Sequence, residues 1–177
     1  MFIDRELFGG AIISKTASDL TDASALRQVP DTQEVFMYPN SNVSIVVEIL
    51  QRVDHAQFND AIRFHFDSLA HDNSARSVEV QSVSVIPNDR GDETPSVVVL
   101  KGLQYVPKFN HTTPDKVEIL MGLYRVESKS IDLVVTFNIP LEAVDGGAVD
   151  NDGLRKAEAD FDTLVRSLRI VDFGLFA

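Results

Sequence analysis

The amino-acid sequence predicts an α+β fold, in which a mostly antiparallel β-sheet is flanked by α-helices. Four strand-like runs follow one another through short polar connections, and such sequential connections favour antiparallel pairing. Two other segments carry apolar residues at helical spacing, so each has one face to bury against a sheet. With 177 residues, 44% of them hydrophobic, the chain is expected to form one domain over residues 1–177.

The first part of the chain predicts short strands joined by loops. Its apolar pieces, LFGGAII and EVFMY, lie between polar segments that are rich in turn residues. Gly9 and Gly10 permit a bulge or a tight bend within the first piece. The segment Asn42–Leu50 is rich in β-branched residues and therefore begins as a strand, although its last turn is also compatible with a helix.

A first helix is predicted after Asp54, which we expect to be its N-cap, with Gln57 in the reciprocal capping position. On this helix His65 lies between two phenylalanines, and the sequence supplies no oriented partner for it. A packed or rim histidine is therefore favoured over a ligand or a base. The apolar stripe that the helix is expected to bury consists of Phe58, Ala61, Ile62, Phe66 and Leu69.

The second half of the chain predicts four strands and a covering helix. The strand-like runs are SVEVQSVSVI, SVVVLKGLQYV, KVEILMGLYRV and IDLVVTFNI, separated by NDRGDETP, PKFNHTTPD and SKS. In the last run, one face is apolar and needs cover, and it comprises Ile131, Leu133, Val135, Phe137 and Ile139. A helix over Asp152–Leu168, capped by Asp152, is predicted to supply that cover, and the apolar tail RIVDFGLFA is expected to pack back. The stripe of this helix consists of Leu154, Ala157, Phe161, Leu164, Val165 and Leu168.

Charge and composition argue against several classes of partner. The net charge of −11 and the sequence pI of about 4.6 should repel nucleic acid and anionic membrane surfaces and favour basic proteins. The absence of cysteine excludes disulfides and thiolate metal sites. The start MFIDRELFGG has no signal-peptide pattern and no apolar run reaches membrane-spanning length, so we expect a soluble intracellular protein.

Motifs that carry chemistry are weak or missing. The sequence contains neither a phosphate-binding G-x-x-x-x-G-K-[ST] string nor a G-x-S-x-G nucleophile motif, and its four histidines form no H-E-x-x-H pair. The segment DGGAVDNDGLRKAEAD resembles part of a calcium loop. Its register is wrong, because with Gly153 at the turn position Ala148 and Ala159 occupy ligand positions. We therefore predict no catalytic residue, no metal and no cofactor.

An acidic segment is the remaining candidate for function. Between Asp19 and Asp60, seven carboxylates face only two arginines, and the stretch LRQVPDTQEVFMYP lies at the centre. In one interpretation Pro30 and Asp31 begin a turn, Asp31 satisfies backbone amides, and Glu34 only solvates the edge of the next strand. In the other, Pro30 and the buried residues after Glu34 hold a rigid acidic surface that docks a basic partner at little entropic cost. The residues alone leave both open.

The pieces ELFGGAI, DASALRQVPDTQEVF, SIVVEIL, FHFDSL, LVVTFNIP and VDFGLFA, in this order, resemble the Mog family of Ran guanine-nucleotide release factors along nearly the whole chain. The resemblance implies the α/β/α sandwich of Mog and PsbP-like proteins, in which a mostly antiparallel sheet is flanked by helices. It also implies binding to the GTPase Ran, promotion of nucleotide release without covalent chemistry, support of nuclear protein import, and a location in nucleus and cytoplasm.

The family's acidic Ran-facing motif falls on Asp31 and Glu34, with Gln33 between them. We add Asp22, Arg27 and Glu48 as further Ran-binding residues because of their charge and their proximity in sequence. The hypothesis is that Asp31 and Glu34 form charge-assisted hydrogen bonds with basic residues of Ran near its switch and phosphate regions, which stabilises a form that releases nucleotide.

Three other functions stay open at this point. The chain is also compatible with an adaptor that binds Ran without altering nucleotide release, and its fold class with a PsbP-like lumenal photosystem subunit. A hydrolase using Asp31 and Glu34 is disfavoured, because nothing places a nucleophile or metal beside them. No heptad seam is present, so a monomer is expected.

Overall fold

The main sheet of the computed structural model, which describes residues 1–109 and 111–177, contains seven antiparallel strands. In chain order the strands of the protein are β1 (Phe2–Leu7), β2 (Ile12–Ala17), β3 (Thr21–Asp22), β4 (Gln33–Met37), β5 (Ser44–Gln51), β6 (Ser77–Ile86), β7 (Val97–Val106), β8 (Asp115–Val126), β9 (Ile131–Glu142) and β10 (Arg169–Ile170). The order in the main sheet is β3-β4-β5-β9-β8-β7-β6. The predicted α+β class is confirmed.

A smaller sheet, β1-β2-β10, completes the β-structure. The tight bend predicted at Gly9 and Gly10 is the tip of the β1–β2 hairpin, where both glycines have positive φ. The C-terminal tail packs back as expected: β10 pairs with β2, and the N–H of Val171 donates to the carbonyl of Ala11 at 2.8 Å.

Segment Ser44–Gln51 is strand throughout, because all eight residues pair with β9. Of the predicted connections, PKFNHTTPD includes Asn110, which lies outside the described residues.

Helix α1 spans Phe58–Asp72 and packs mainly on β7 and β8. The prediction that Asp54 caps it was wrong: the N-cap position is Gln57, whose side chain makes no capping hydrogen bond. The guanidinium of Arg125 binds the carbonyl oxygens of Val53 and His55, which holds this connection against the sheet ahead of the helix. Phe58 was also expected to be buried, but as the first helical residue it is 48% exposed.

Helix α2 spans Asn151–Ser167 and covers the opposite face of the main sheet. Its N-cap is Asp150, whose Oδ1 accepts the N–H of Gly153 at 2.8 Å, and not Asp152 as predicted. Asp152 instead forms an exposed ion pair with Arg155, one turn further on. The predicted apolar stripe is correct, and Phe161 contacts Phe137 edge to face at 5.3 Å between ring centroids.

Two hydrophobic cores follow from these layers. The larger core lies between the main sheet, α2 and the small sheet, and the smaller one lies between the sheet and α1. The alternation predicted for β9 is confirmed, since Leu133, Val135, Phe137 and Ile139 belong to the α2 side. Val134 belongs to the α1 side. The sheet is therefore covered on both faces, as expected for an α/β/α arrangement.

Candidate functional site

The acidic loop before β4 is anchored by backbone hydrogen bonds and by two buried side chains. The N–H of Gln33 donates to the carbonyl of Pro30 at 2.9 Å, and the N–H of Ile49 on β5 donates to the carbonyl of Thr32 at 2.9 Å. Val35 and Phe36 are only 4% and 2% exposed, which confirms the predicted anchor. The loop is therefore held at both its turn and its first strand residues.

Asp31 lies at the exposed tip of this turn. Its carboxylate accepts no hydrogen bond from any part of the chain that the structure describes, so the interpretation in which it satisfies backbone amides is wrong. An exposed carboxylate on an anchored backbone keeps its hydrogen-bonding capacity for an external donor. Of the predicted residues, Asp31 is therefore the one best placed to contact another protein.

Glu34 has a contact that the sequence did not predict. Its Oε1 accepts the backbone N–H of Phe8 at 2.9 Å, at the tip of the β1–β2 hairpin. Phe8 has a φ of 51°, a left-handed conformation that is uncommon for residues other than glycine. Glu34 thus stabilises an unusual loop, rather than only solvating a strand edge, and one carboxylate oxygen is engaged in doing so. The FGG and PDTQEV segments, separated in sequence, are in contact through this bond.

Gln33 and Glu48 form a pair on the other face of the sheet. They are cross-strand partners in the β4–β5 register, and Nε2 of Gln33 donates to Oε2 of Glu48 at 3.1 Å. Because successive side chains of a strand point to opposite faces, Gln33 and Glu34 diverge. The structure therefore places the predicted residues at one end of β4 but divides them between two faces.

Asp22 and Arg27 lie in the segment that precedes the acidic loop. Asp22 caps the short 3-10 helix at residues 23–25, where its Oδ1 accepts from the backbone N–H and the hydroxyl of Ser24. Arg27 is exposed and its side chain has no polar partner among residues 1–109 and 111–177. The second arginine of the acidic segment, Arg52, pairs with Glu127 at 2.9 Å. Asp22 thus has a local structural role as a cap, whereas the side chain of Arg27 makes no polar contact within the described ranges.

A buried polar cluster lies under α1, and the sequence did not predict it. Asp132 lies 2.8 Å from Nε2 of the packed His65, 3.0 Å from Nε of Arg125 and 3.2 Å from the N–H of Val53. Burial opposes ionisation of Asp132, but the hydrogen bonds from these three groups outweigh it and lower its pKa. The only sequence signal was Asp132 on the polar face of an otherwise apolar strand. All three partners of Asp132 belong to the fold, so the cluster is structural.

The arrangement of the candidate residues suits docking of another protein. Within the described ranges, no group of three or more His, Asp or Glu side chains is arranged to hold a metal ion. No helix in that part of the chain is long and apolar enough to cross a membrane. The exposed carboxylate of Asp31 lies on an anchored turn next to β4, which carries Glu34 on one face and Gln33 on the other. Such an arrangement is suited to forming charge-assisted hydrogen bonds with a basic protein.

Comparison with known proteins gives a consistent result. Residues 5–140 match the family described as Ran-interacting Mog1 protein. The chain is 34% identical to the Ran guanine nucleotide release factor of Danio rerio, over 98% of this chain and 100% of the relative. It is 33% identical to the Homo sapiens protein of the same name, over 98% of this chain and 96% of the relative.

More distant relatives extend the similarity to fungi. The nuclear import protein mog1 of Schizosaccharomyces pombe is 28% identical, over 97% of this chain and 99% of the relative. The 1.9 Å crystal structure of the Ran-binding protein Mog1p of Saccharomyces cerevisiae has a TM-score of 0.75 to this chain, covering 100% of it and 99% of that chain at 24% identity. The structural similarity supports the fold described above.

Proposed function

Because this chain belongs to the Ran-interacting Mog1 family, we propose that it binds the GTPase Ran, promotes release of guanine nucleotide from it, and supports nuclear protein import. The similarity to the release factors extends over almost the full length of both chains. The single observation that carries the site assignment is the anchored and exposed carboxylate of Asp31. The protein acts in nucleus and cytoplasm as a monomeric domain over residues 1–177.

The mechanism is electrostatic and conformational, without covalent chemistry. A GTPase holds its nucleotide through a phosphate-binding loop, a lysine and a magnesium ion. A partner that binds the nucleotide-free or metal-free conformation more tightly than the loaded one shifts the population towards release. Asp31 supplies a carboxylate for a basic residue near that site, and the turn at Pro30 keeps this carboxylate in place before contact.

Glu34 contributes both to the fold and to binding in this proposal. One of its oxygens holds the N–H of Phe8, and the other is available to a donor on Ran. Gln33 and Glu48, joined to each other, present polar atoms on the second face of β4. Asp22 and Arg27 lie at the margin of this surface. The partner's contact residues are accordingly basic and approach the end of β4.

A nucleotide-release assay separates this function from that of a simple adaptor. Ran loaded with a fluorescent GDP or GTP analogue is mixed with this protein and excess unlabelled nucleotide, and the loss of fluorescence is followed by stopped flow. We expect the release rate to rise with protein concentration and then to saturate. A complex that forms without any rise in the release rate would make the protein an adaptor and contradict the proposed exchange function.

A further inference from the structure

A groove runs along the α1 side of the main sheet, next to the candidate site. Because α1 packs mainly on β7 and β8, the neighbouring strands β9 and β5 are left only partly covered on this face. The resulting groove has a volume of about 360 Å³. Glu48, the partner of Gln33, lines it, so the groove is continuous with one face of the candidate site.

The walls of the groove are mainly apolar. Leu50, Met121 and Val134 from three strands contribute to the lining, and Leu69 contributes from α1. Phe64 lies at the rim and is 46% exposed, with its ring centroid 5.3 Å from that of His55. Such walls suit the aliphatic part of a side chain, and an exposed aromatic face at the rim attracts a cation.

The charged groups in the groove are carboxylates, and they lie beside the neutral side chains of Gln51 and Ser68. Glu48 and Asp72 both line it, and among the described residues the lining contains no basic side chain apart from His65, whose Nε2 is already engaged by Asp132. Thr136 also lines the groove; the residue is 6% exposed, and its hydroxyl, which has no hydrogen-bond partner in the described ranges, is open to the groove rather than enclosed. A hydroxyl that is open to the groove can accept a hydrogen bond from an incoming group in place of one from water.

We propose that this groove is a second contact with Ran and receives the side chain of a lysine or an arginine of that partner. The aliphatic stem packs on Leu50 and Val134, the cationic head lies between the carboxylates of Glu48 and Asp72, and the hydroxyl of Thr136 accepts one of its hydrogen bonds. Charge complementarity selects this occupant, because an acidic side chain would be repelled by the carboxylates of Glu48 and Asp72 and an apolar one would bring no charge to them. The inference rests on the proposed function, since it names a subsite of the same interface.

Filling the groove tests the inference directly. Ser68 lines it and is half-buried, so Ser68→Phe should occupy the space that the basic side chain needs. His71 is exposed on the same helix and outside the groove, which makes His71→Phe the matched control. By titration calorimetry with nucleotide-free Ran, we expect Ser68→Phe to weaken binding about tenfold or more, and His71→Phe to change it by less than about twofold.

A second variant keeps the test valid if Ser68→Phe disturbs α1. Thr136→Val removes only the unpartnered hydroxyl, and we expect it to weaken Ran binding severalfold without lowering the melting temperature. Wild-type affinity in both folded variants would overturn the inference. If both groove variants bind Ran as tightly as the wild type while an Asp31 variant does not bind, only the groove inference fails and the proposed function stands. If the wild-type protein does not bind Ran at all, the proposed function fails and the inference fails with it.

Discussion

At the scale of single residues, Glu34 has a structural role, as acceptor for the N–H of Phe8, and a proposed binding role, as a carboxylate for Ran. Different substitutions can separate these two roles. Glu34→Ala leaves the N–H of Phe8 without its acceptor, and we expect the free energy of unfolding to fall by about 1–2 kcal/mol. Glu34→Gln keeps an oxygen for that N–H, so it should cost less than about 1 kcal/mol while still removing the charge. Urea denaturation measures both, and equal losses for the two variants would contradict this role.

The environment of Glu118 leads us to expect that the free energy of unfolding depends on pH. It is buried on β8, 3.7 Å from Lys101, which itself pairs with Glu158 of α2, and its Oε2 is one of the buried atoms without a hydrogen-bond partner in the described chain. Burial, reinforced by the nearby Glu158 carboxylate, raises the pKa of Glu118 to about 7 despite the attraction of Lys101. The folded state therefore holds a proton that the unfolded chain releases at lower pH.

The sign of the effect follows from this raised pKa. Protonation of Glu118 stabilises the folded state relative to the unfolded chain. This stabilisation is fully present below the ordinary pKa of a glutamate and is lost as the pH rises through about 7. We expect the free energy of unfolding to fall by about 1–2 kcal/mol between pH 5 and pH 8, and the decline to be much smaller in Glu118→Gln. Denaturant titrations across this pH range measure it, and parallel profiles for the two proteins would rule out this assignment.

At the scale of elements, the packing of α1 on the sheet depends on Gly102 of β7. A Cβ at this position would lie 2.7 Å from the carbonyl oxygen of Glu79 on β6 and 2.9 Å from the ring of Phe66 on α1. We expect Gly102→Ala to lower the free energy of unfolding by about 1–3 kcal/mol, because neither the strand nor the buried ring has room to move. Thermal unfolding measures the loss.

Gly122→Ala on the next strand is the matched control. Its added Cβ would meet only side-chain atoms, at 3.1 Å from Val165, 3.2 Å from Val97 and 3.8 Å from Phe161, and α2 needs to shift only slightly. We expect a smaller loss of stability than for Gly102→Ala. An equal or larger loss would mean that the close approach at Gly102 does not limit the packing of α1.

Strands were easier to predict from the sequence than helix ends. The alternation in β9 fixes which residues face α2, because a strand has only two faces. Helix starts depend on tertiary contacts: Asp54 has the right chemistry for an N-cap, but the connection around it is held by Arg125, which is distant in sequence. At the start of α2, Asp150 and Asp152 were equally suitable by residue type, and only the backbone geometry distinguishes them.

At the scale of the whole molecule, part of the candidate site was predictable and part was not. Pro30 and the apolar pair Val35 and Phe36 indicated an anchored loop, and the structure confirms the anchor. The contact between Glu34 and Phe8 joins two sheets, so no spacing within one segment predicts it. The groove beside α1 also arises from the assembly of three strands and a helix, and Glu48 connects it to the site only through its pairing with Gln33.

The central claim is that the exposed carboxylate of Asp31 promotes nucleotide release from Ran, and charge reversal at this residue tests it most directly. Glu93 is an exposed carboxylate in a different loop, so Glu93→Lys changes the net charge equally and serves as the control. In the stopped-flow release assay, we expect Asp31→Lys to lower the stimulated rate by about tenfold or more and Glu93→Lys to leave it within about twofold. A correctly folded Asp31→Lys protein that stimulates release as well as the wild type would contradict the claim.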